Sequence, residues 1–488
     1  MKDKKLFRNY LYNAAYQILL MILPLVTSPY IARVLGAENI GIYSYTYSVV
    51  FYFSLFANLG ISFYGNRMIA KCRDNKEELN KCFSSVLYLH IILSIIDILA
   101  YLVFIIIIDN SYFVIALIQL IYLLSVLLDI SWFFFGIEEF KLTVGRNTAV
   151  KLVTTAFIFI CVRGANDLWI YTLILTLGTA IGNMTLWMFF PRFGRIVKTP
   201  WKDIWTHLKP MAVLAISTIA VSVYLYIDKI MLGKMSSMSQ VGYYENAFKM
   251  IQFPLGLITA MGTVMLPHIS RLISSEGFDK AKPYISDSMK IIAIASPAVA
   301  FGLACVADVF SVVFWGEEFA ACGPILSLLS ITAILISWNN IIRTEYLIPM
   351  EKDNHYVFAV SAGALVDVIL NALLIPKMGG IGAAIGTVGA YVTVFWVQNY
   401  SCRKQLSHGK YLTYFVPFCL SGTGMLLIVR LFCKNLPVSI FGLLIRIIVG
   451  ASSYVFFGLI YIYVFNDSFY INYLRTLKNK LIHREVFK

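Results

Sequence analysis

Charge is scarce in this chain. Lys, Arg, Asp and Glu make up 14% of its 488 residues, against about 25% in ordinary soluble domains. That deficit excludes a large water-facing surface, because a soluble chain of this length would divide into two or three domains, each needing a polar coat. No hydrophilic stretch exceeds about 25 residues, which leaves no room for a soluble catalytic domain. No P-loop is present, arguing against a built-in ATP motor. The eight cysteines include no C-x-x-C pair. Cys161, Cys305, Cys419 and Cys433 lie in or beside apolar runs, and Cys72, Cys82 and Cys402 lie in basic loops; they read as small buried apolar residues rather than as disulfides or metal ligands. An N-terminal cleavage site of small residues is also lacking, so the first apolar run is expected to stay as an uncleaved anchor.

What abounds is apolar side chain, 59% of the chain against about 45–50% in soluble domains. Windows near spanning length fall at 10–32, 40–63, 83–108, 112–135, 147–163, 168–190, 211–232, 247–270, 289–314, 324–349, 355–375, 380–401, 411–432 and 438–465. The expected fold class is an all-α integral membrane protein of about 14 transmembrane helices. The net charge of +14 would suggest nucleic acid if its basic residues were clustered on one surface. They lie instead in short groups on alternating connections, as the positive-inside rule requires. Nucleic acid is therefore excluded as a partner, and both termini are expected to be cytoplasmic. Met1–Arg8 and the tail Arg475–Lys488 place basic groups at the level of lipid headgroups, chiefly as determinants of topology.

An internal repeat is legible. Leu35-Gly36, a polar bend and then Gly41-Ile42-Tyr43-Ser44-Tyr45 follow the first window. Leu232-Gly233, a polar bend and then Gly242-Tyr243-Tyr244-Glu245-Asn246 follow the seventh. Gly178-Thr179 in the sixth window pairs in the same way with Gly386-Thr387 in the twelfth. The separations match six spans, so windows 1–6 and 7–12 read as two copies in the same orientation. The expected domains are an N-terminal lobe (1–200), a C-terminal lobe (201–405) and two additional helices with a basic tail (406–488). Parallel repeats of this kind typify transporters that rock one half against the other around a site near the midplane.

Ionisable groups inside spans are costly, and each asks for a reason. Arg33 lies at the outer end of the first window, after Pro24 and Pro29. Asp228 and Lys229 occupy the matching place in the seventh, and Glu245 and Lys249 open the eighth at an i,i+4 spacing suited to an ion pair. Three cations and two anions thus gather at repeat-related helix ends. One reading is a cationic pocket for an anionic headgroup such as a pyrophosphate, with Arg33, Lys229 and Lys249 as its cations. The other is that these side chains snorkel to the interface or lock helices through ion pairs, Asp228 neutralising Lys229 and Glu245 neutralising Lys249. Tyr43, Tyr45, Tyr47, Tyr224, Tyr226, Tyr243 and Tyr244 cluster near the same place, and aromatic faces suit sugar rings and isoprenoid chains alike. Asp97, Asp129, Asp308 and Asp367 are scattered over four spans and read as isolated polar contacts, with a proton or Na⁺ role as the alternative. Arg67, Arg146 and Arg343 read as topology charges near cytoplasmic ends, and Arg430 and Arg446 as snorkelling.

Several of these strings carry a resemblance. Ala32-Arg33-Val34-Leu35-Gly36, Tyr64-Gly65-Asn66-Arg67-Met68-Ile69-Ala70-Lys71 and Asp228-Lys229-Ile230-Met231-Leu232-Gly233 are similar to the Wzx-type polysaccharide repeat-unit flippases of the multidrug/oligosaccharidyl-lipid/polysaccharide exporter superfamily. Tyr346-Leu347-Ile348-Pro349, Asn371-Ala372-Leu373-Leu374-Ile375-Pro376 and Gly380-Ile381-Gly382-Ala383-Ala384 extend the match, which runs from about residue 5 to 400. The resemblance implies two six-helix lobes plus two extra helices, and transfer of a polyprenyl-pyrophosphate-linked oligosaccharide from the inner to the outer leaflet of a bacterial cytoplasmic membrane, for O-antigen or capsule. It implies membrane lipids as surroundings, polysaccharide polymerase and chain-length proteins as partners, no enzymatic activity, and no cofactor beyond Na⁺ or proton coupling. It also places Arg33 on the central cavity. The family pattern leads one to expect Asn where Asp367 stands, which leaves a cation or proton site open there. Two other readings remain: a cation-coupled multidrug antiporter of the same superfamily, and a scaffold of a glycan-assembly complex that does not transport.

Overall fold

In a computed structural model of the protein, residues 2–108, 111–464 and 469–471 are described, without the side chains of 2–21, 216–218, 220–221, 224 and 408. The expected basic tail 475–488, and the side chains of the basic N-terminus, lie outside the described residues. Every extended regular element among those described is helical. In chain order they are α1 (Lys2–Asn58), α2 (Ile61–Cys72), α3 (Lys76–Val103), α4 (Phe113–Leu127), α5 (Ser131–Gly136), α6 (Phe140–Cys161), α7 (Leu168–Phe189), α8 (Trp201–Trp205) and α9 (Leu208–Met235). They continue with α10 (Met238–Glu276), α11 (Phe278–Trp315), α12 (Cys322–Leu329), α13 (Thr332–Ile341), α14 (Asp353–Met378), α15 (Gly380–Cys402), α16 (His408–Phe432) and α17 (Ile440–Val464). Two short π-helical turns, Phe104–Ile108 and Ile342–Leu347, extend α3 and α13. Helix is the form such a sequence must take, because in hydrocarbon each backbone N–H and C=O has to be satisfied within its own segment.

All fourteen apolar windows fall on helix. By length and hydropathy eleven stretches among the described residues are fit to cross a membrane, or twelve if the pair Glu317–Leu329 and Thr332–Leu347, bent by 43°, is one span. The expectation of fourteen is thus not reached by this measure. Part of the shortfall is that the first two windows lie on one stretch, Ile22–Cys72. It is broken at Gly36, whose φ of 77° and ψ of 171° belong to a region open essentially to glycine alone. α9 carries the seventh window and is not among the eleven.

By packing, the chain forms two compact units, Met1–Asn246 with Val360–Ala390, and Ala247–Ala359 with Tyr391–Lys488. This grouping is a different partition from the repeat-based one at 1–200, 201–405 and 406–488. In the first unit, Phe83 stacks on Phe190 (4.3 Å) and meets Trp132 and Phe133, all essentially buried. Above that core His207, just before α9, bridges two helices. Tyr64 Oη of α2 is 2.7 Å from its Nδ1, and Ser85 Oγ of α3 is 2.8 Å from its Nε2.

In the second unit, Trp338 of α13 donates to Asn399 Oδ1 of α15 at 3.1 Å and packs on Phe415 of α16. Arg446 in α17 corrects an expectation. It does not snorkel; it is buried and donates to the carbonyls of Cys433, Leu436 and Pro437 at 3.0, 2.9 and 3.3 Å. The end of a helix leaves carbonyls without intrahelical donors, and this guanidinium supplies them where α16 stops.

Candidate functional site

The two copies of the Leu-Gly…Gly-x-Tyr motif meet within the first unit. A Cβ on Gly41 would lie 1.7 Å from the carbonyl oxygen of Met238, and one on Gly242 would lie 2.1 Å from that of Ala37. Each glycine therefore presses its backbone against the polar bend of the other copy, a reciprocity that a two-fold relation between the copies would produce. A Cβ on Gly233 would likewise strike the ring of Tyr45 at 2.4 Å. These close approaches bring the end of α9, the start of α10 and the second segment of α1 together, and the polar groups follow.

Lys229 pairs with Glu245 across α9 and α10, Nζ to Oε2 at 2.6 Å, with both side chains under a tenth exposed. Its ammonium also sits over the ring of Tyr226, 4.7 Å from the centroid. Around this pair is a nest of rings. Tyr43 and Tyr47 of α1 are near-parallel (5.9 Å, 14°), Tyr122 of α4 meets Tyr47 edge-on at 5.4 Å, and Tyr171 of α7 meets Tyr43 at 5.0 Å. Tyr226 stacks on Phe51 at 4.0 Å.

Asp228 takes a different direction. Successive residues on a helix are about 100° apart, so Asp228 cannot share the direction of Lys229, and it does not neutralise its neighbour. It enters a wholly buried oxygen-rich cluster. Its Oδ1 accepts from Asn371 Nδ2 at 2.6 Å, and its Oδ2 accepts from Thr387 Oγ1 at 3.0 Å and from Tyr244 Oη. Tyr244 and Thr387 are themselves 2.8 Å apart. Asp367, one turn before Asn371 on α14, also reaches Asp228. Its two carboxylate oxygens are fully buried and receive no well-aligned donor, and Asn371 Oδ1 is in the same state. Gly386 makes the cluster possible: a Cβ there would fall 2.2 Å from Asn371 Oδ1 and 3.1 Å from Asp367 Oδ1.

Of the residues singled out from sequence, Asp228, Lys229, Glu245 and Asp367 are buried within the first unit. Arg33 belongs to the same unit and is exposed, three residues before the break at Gly36. Lys249 is exposed and belongs to the second unit. Asp129 caps the turn into α5, accepting from Ser131 N at 2.8 Å. Arg146 ties α6 to α7 through Asn183 Oδ1 at 2.8 Å and the Gly182 carbonyl at 3.2 Å. Asn371, Thr387 and Tyr244 were not anticipated as partners of Asp228. Thr387 lay inside a recognised repeat pair, which was its one signal.

A family model described as "Polysaccharide biosynthesis protein" matches residues 6–273, more than half of the chain. The chain belongs to the polysaccharide biosynthesis protein family. Among curated members with related sequences, one named "Putative O-antigen transporter" from Shigella dysenteriae is 25% identical over 76% of this chain and 94% of its own length. A second of the same name from Escherichia coli K12 is 24% identical over 78% and 92%. In fold, this family member resembles the lipid II flippase MurJ in an inward closed conformation (TM-score 0.76, 15% identity, 93% of this chain and 99% of that one). It also resembles an inward-facing multidrug resistance MATE family transporter of the MOP superfamily (TM-score 0.59, 14% identity, 81% and 100%). At these identities the structural likeness concerns the fold alone.

Proposed function

We propose that this multi-pass membrane protein moves polyprenyl-diphosphate-linked oligosaccharides from the cytoplasmic to the outer leaflet of a bacterial cytoplasmic membrane by alternating access, for assembly of a cell-surface polysaccharide. The observation that carries the proposal is the family match together with relatives named as O-antigen transporters across more than nine-tenths of their length. The residues are suited to the task. A diphosphate carries about two negative charges, and its passage through a desolvated interior needs compensating cations. Arg33, exposed beside the break in α1, is the diphosphate contact in this reading, and Arg is the side chain best shaped for bidentate phosphate recognition. Lys249 is the second candidate. Lys229 is held by Glu245 and contributes no net charge.

The driving ion belongs to the same proposal. Asp228, Asp367, Asn371 and Thr387 offer an all-oxygen set, with two carboxylates in contact and with buried acceptor oxygens on Asp367 and Asn371 that receive no well-aligned donor. Such a set fits Na⁺ or a proton. A cation bound there would offset the repulsion between the two carboxylates, and the positions of α9, α14 and α15 would then respond to its presence.

The experiment uses the purified full-length protein in liposomes, with a fluorescent polyprenyl-diphosphate oligosaccharide in one leaflet and a lipophilic cation in parallel. Wild type should exchange the glycolipid between leaflets, Arg33→Ala should lose at least tenfold of that rate, and Arg33→Lys should keep part of it. Transport of the lipophilic cation without the glycolipid would reject the proposal. Glycolipid exchange unaffected in Arg33→Ala would reject the assignment of Arg33.

A further inference from the structure

The ring nest and the ion pair inside it take no part in the diphosphate contact assigned to Arg33. We infer that Tyr43, Tyr47, Tyr122 and Tyr226, with the Lys229–Glu245 pair, form a carbohydrate subsite that reads the ring faces and hydroxyls of the transported glycan. The inference rests on the flippase reading and gives it a second site, separate from the one assigned to the diphosphate.

Three observations carry it. The first is exposure. The aromatic core of the same unit, Phe83, Trp132, Phe133 and Phe134, is sealed at 0–1% exposure. Tyr43, Tyr47, Tyr122 and Tyr226 each keep a minor part of their surface exposed, although they stand on three different helices and touch one another. Tyr43, Tyr47 and Phe51 repeat every four residues and so lie along one face of the second segment of α1. Rings bearing hydroxyls are poor partners for acyl chains, where an unmet polar group is costly, and good ones for a wet cleft. The second is charge. With 2.6 Å between Lys229 Nζ and Glu245 Oε2, the pair is neutral as a whole, and a dianion brought beside it would meet the carboxylate at short range. Lys229 Nζ lies 4.7 Å from the centroid of Tyr226 and 2.6 Å from Glu245 Oε2, so the acidic group borders the nest.

The third is chemistry. A pyranose ring offers a face of C–H groups that packs on an aromatic ring, and vicinal hydroxyls that donate and accept at once. A carboxylate beside an ammonium supplies the matching acceptors and donors in one place. The phenolic hydroxyls can serve in either sense. A diphosphate, which only accepts, would use the ammonium and waste the rest.

The test measures binding by fluorescence anisotropy, with the full-length protein in detergent micelles. The probes are a fluorescent short-chain polyprenyl diphosphate without sugar and the same lipid carrying a trisaccharide of neutral hexoses, of N-acetylhexosamines or of hexuronic acids. Wild type should bind at least one glycosylated probe more tightly than the bare lipid. In Tyr47→Leu/Tyr226→Leu that preference should fall about tenfold, with affinity for the bare lipid unchanged. Tyr47→Phe/Tyr226→Phe, which keeps the rings, should retain most of it. Lys229→Gln/Glu245→Gln, which leaves no charge behind, should lose the preference as the Leu variant does. Equal weakening of every probe in the Leu variant, or a wild type with no preference for any glycan, overturns the subsite and leaves the flippase reading standing. If wild-type protein in liposomes exchanges no diphosphate lipid at all, the flippase reading fails and this inference falls with it.

Discussion

Two corners of the molecule share one motif and have opposite electrostatic fates. Where the first copy bends, at Leu35-Gly36, the nearby charge is Arg33, which is exposed. Where the second bends, at Ser236-Ser237 just after Leu232-Gly233, Asp228 and Lys229 are both enclosed, one in an oxygen cluster and one in an ion pair. The two copies interlock, since Gly41 and Gly242 press reciprocally on Met238 and Ala37, although the first breaks at Gly36 and the second stays helical through Gly233 to Met235. A duplicated frame has therefore been kept for its packing, while the side chains have diverged into an exposed cation on one side and buried polar machinery on the other. Exposed charges are expendable for folding; buried ones are not, because removing one partner leaves the other uncompensated.

The largest effect that would sharpen this contrast lies in the buried pair. Lys229→Ala leaves Glu245 uncompensated with its side chain under a tenth exposed, and it should destabilise the protein by about 3–5 kcal/mol. Thermal unfolding in detergent would show this as a lowered midpoint and reduced yield of monodisperse protein. Lys229→Met with Glu245→Leu, which removes both charges, should restore most of the loss. Arg33→Ala should leave stability within about 0.5 kcal/mol while losing leaflet exchange. An Arg33→Ala midpoint as low as that of Lys229→Ala would erase the distinction between the corners.

Next in size is the shared frame. Gly41→Ala and Gly242→Ala each place a methyl against a backbone carbonyl that cannot rotate away, and each should cost about 1–3 kcal/mol. Because the contacts are reciprocal, the two costs should be similar, and the double variant should cost less than their sum, since the first separation makes room for the second methyl. A large cost at one glycine and none at the other would break the symmetry argument.

A smaller structural effect, with a functional signature, is expected from Asp367→Asn. The replacement is isosteric and removes one of two touching carboxylates, so the fold should change by under about 1 kcal/mol or gain slightly. The dependence of exchange rate on Na⁺ concentration or on a pH gradient should flatten. Wild-type exchange insensitive to both would remove the ion-coupling role from this cluster.

These contrasts also mark what could be read beforehand. Helical content and the placement of spans were legible because apolar run length is a local property. The repeat was legible because the break at Gly36 and the close approaches at Gly41, Gly233 and Gly242 need glycine, which leaves matching strings in the two copies. Arg33, Lys229 and Asp367 stood out because a charge in an apolar run is conspicuous. Their partners did not. Asn371 and Thr387 lie 143 and 159 residues from Asp228, and although Thr387 belongs to a repeat pair and Asn371 to a resemblance string, nothing in either segment points to Asp228. The pairing of Lys229 with Glu245 is likewise a matter of how α9 and α10 cross. Arg446 was misread for a similar reason, since the carbonyls it satisfies belong to the preceding helix end and its connection.

The smallest effect is expected at the other end of α9, where neither corner reaches. His207 is buried, its two ring nitrogens are engaged by Tyr64 and Ser85, and burial lowers its pKa from the ordinary value near 6.5. Folding therefore favours the neutral ring. Above the unfolded pKa both states are neutral and the site is insensitive to pH. As pH falls below about 6.5 the unfolded chain takes up the proton first, so stability declines with falling pH until the folded state is protonated too. Asp203 nearby opposes part of this shift, which keeps the effect small. The thermal midpoint of wild type should drop between pH 7 and pH 5 by more than that of His207→Gln, whose amide can still bridge one of the two hydroxyls but does not titrate. Equal pH dependence in the two proteins would assign the decline to other groups and leave His207 as a packing residue only.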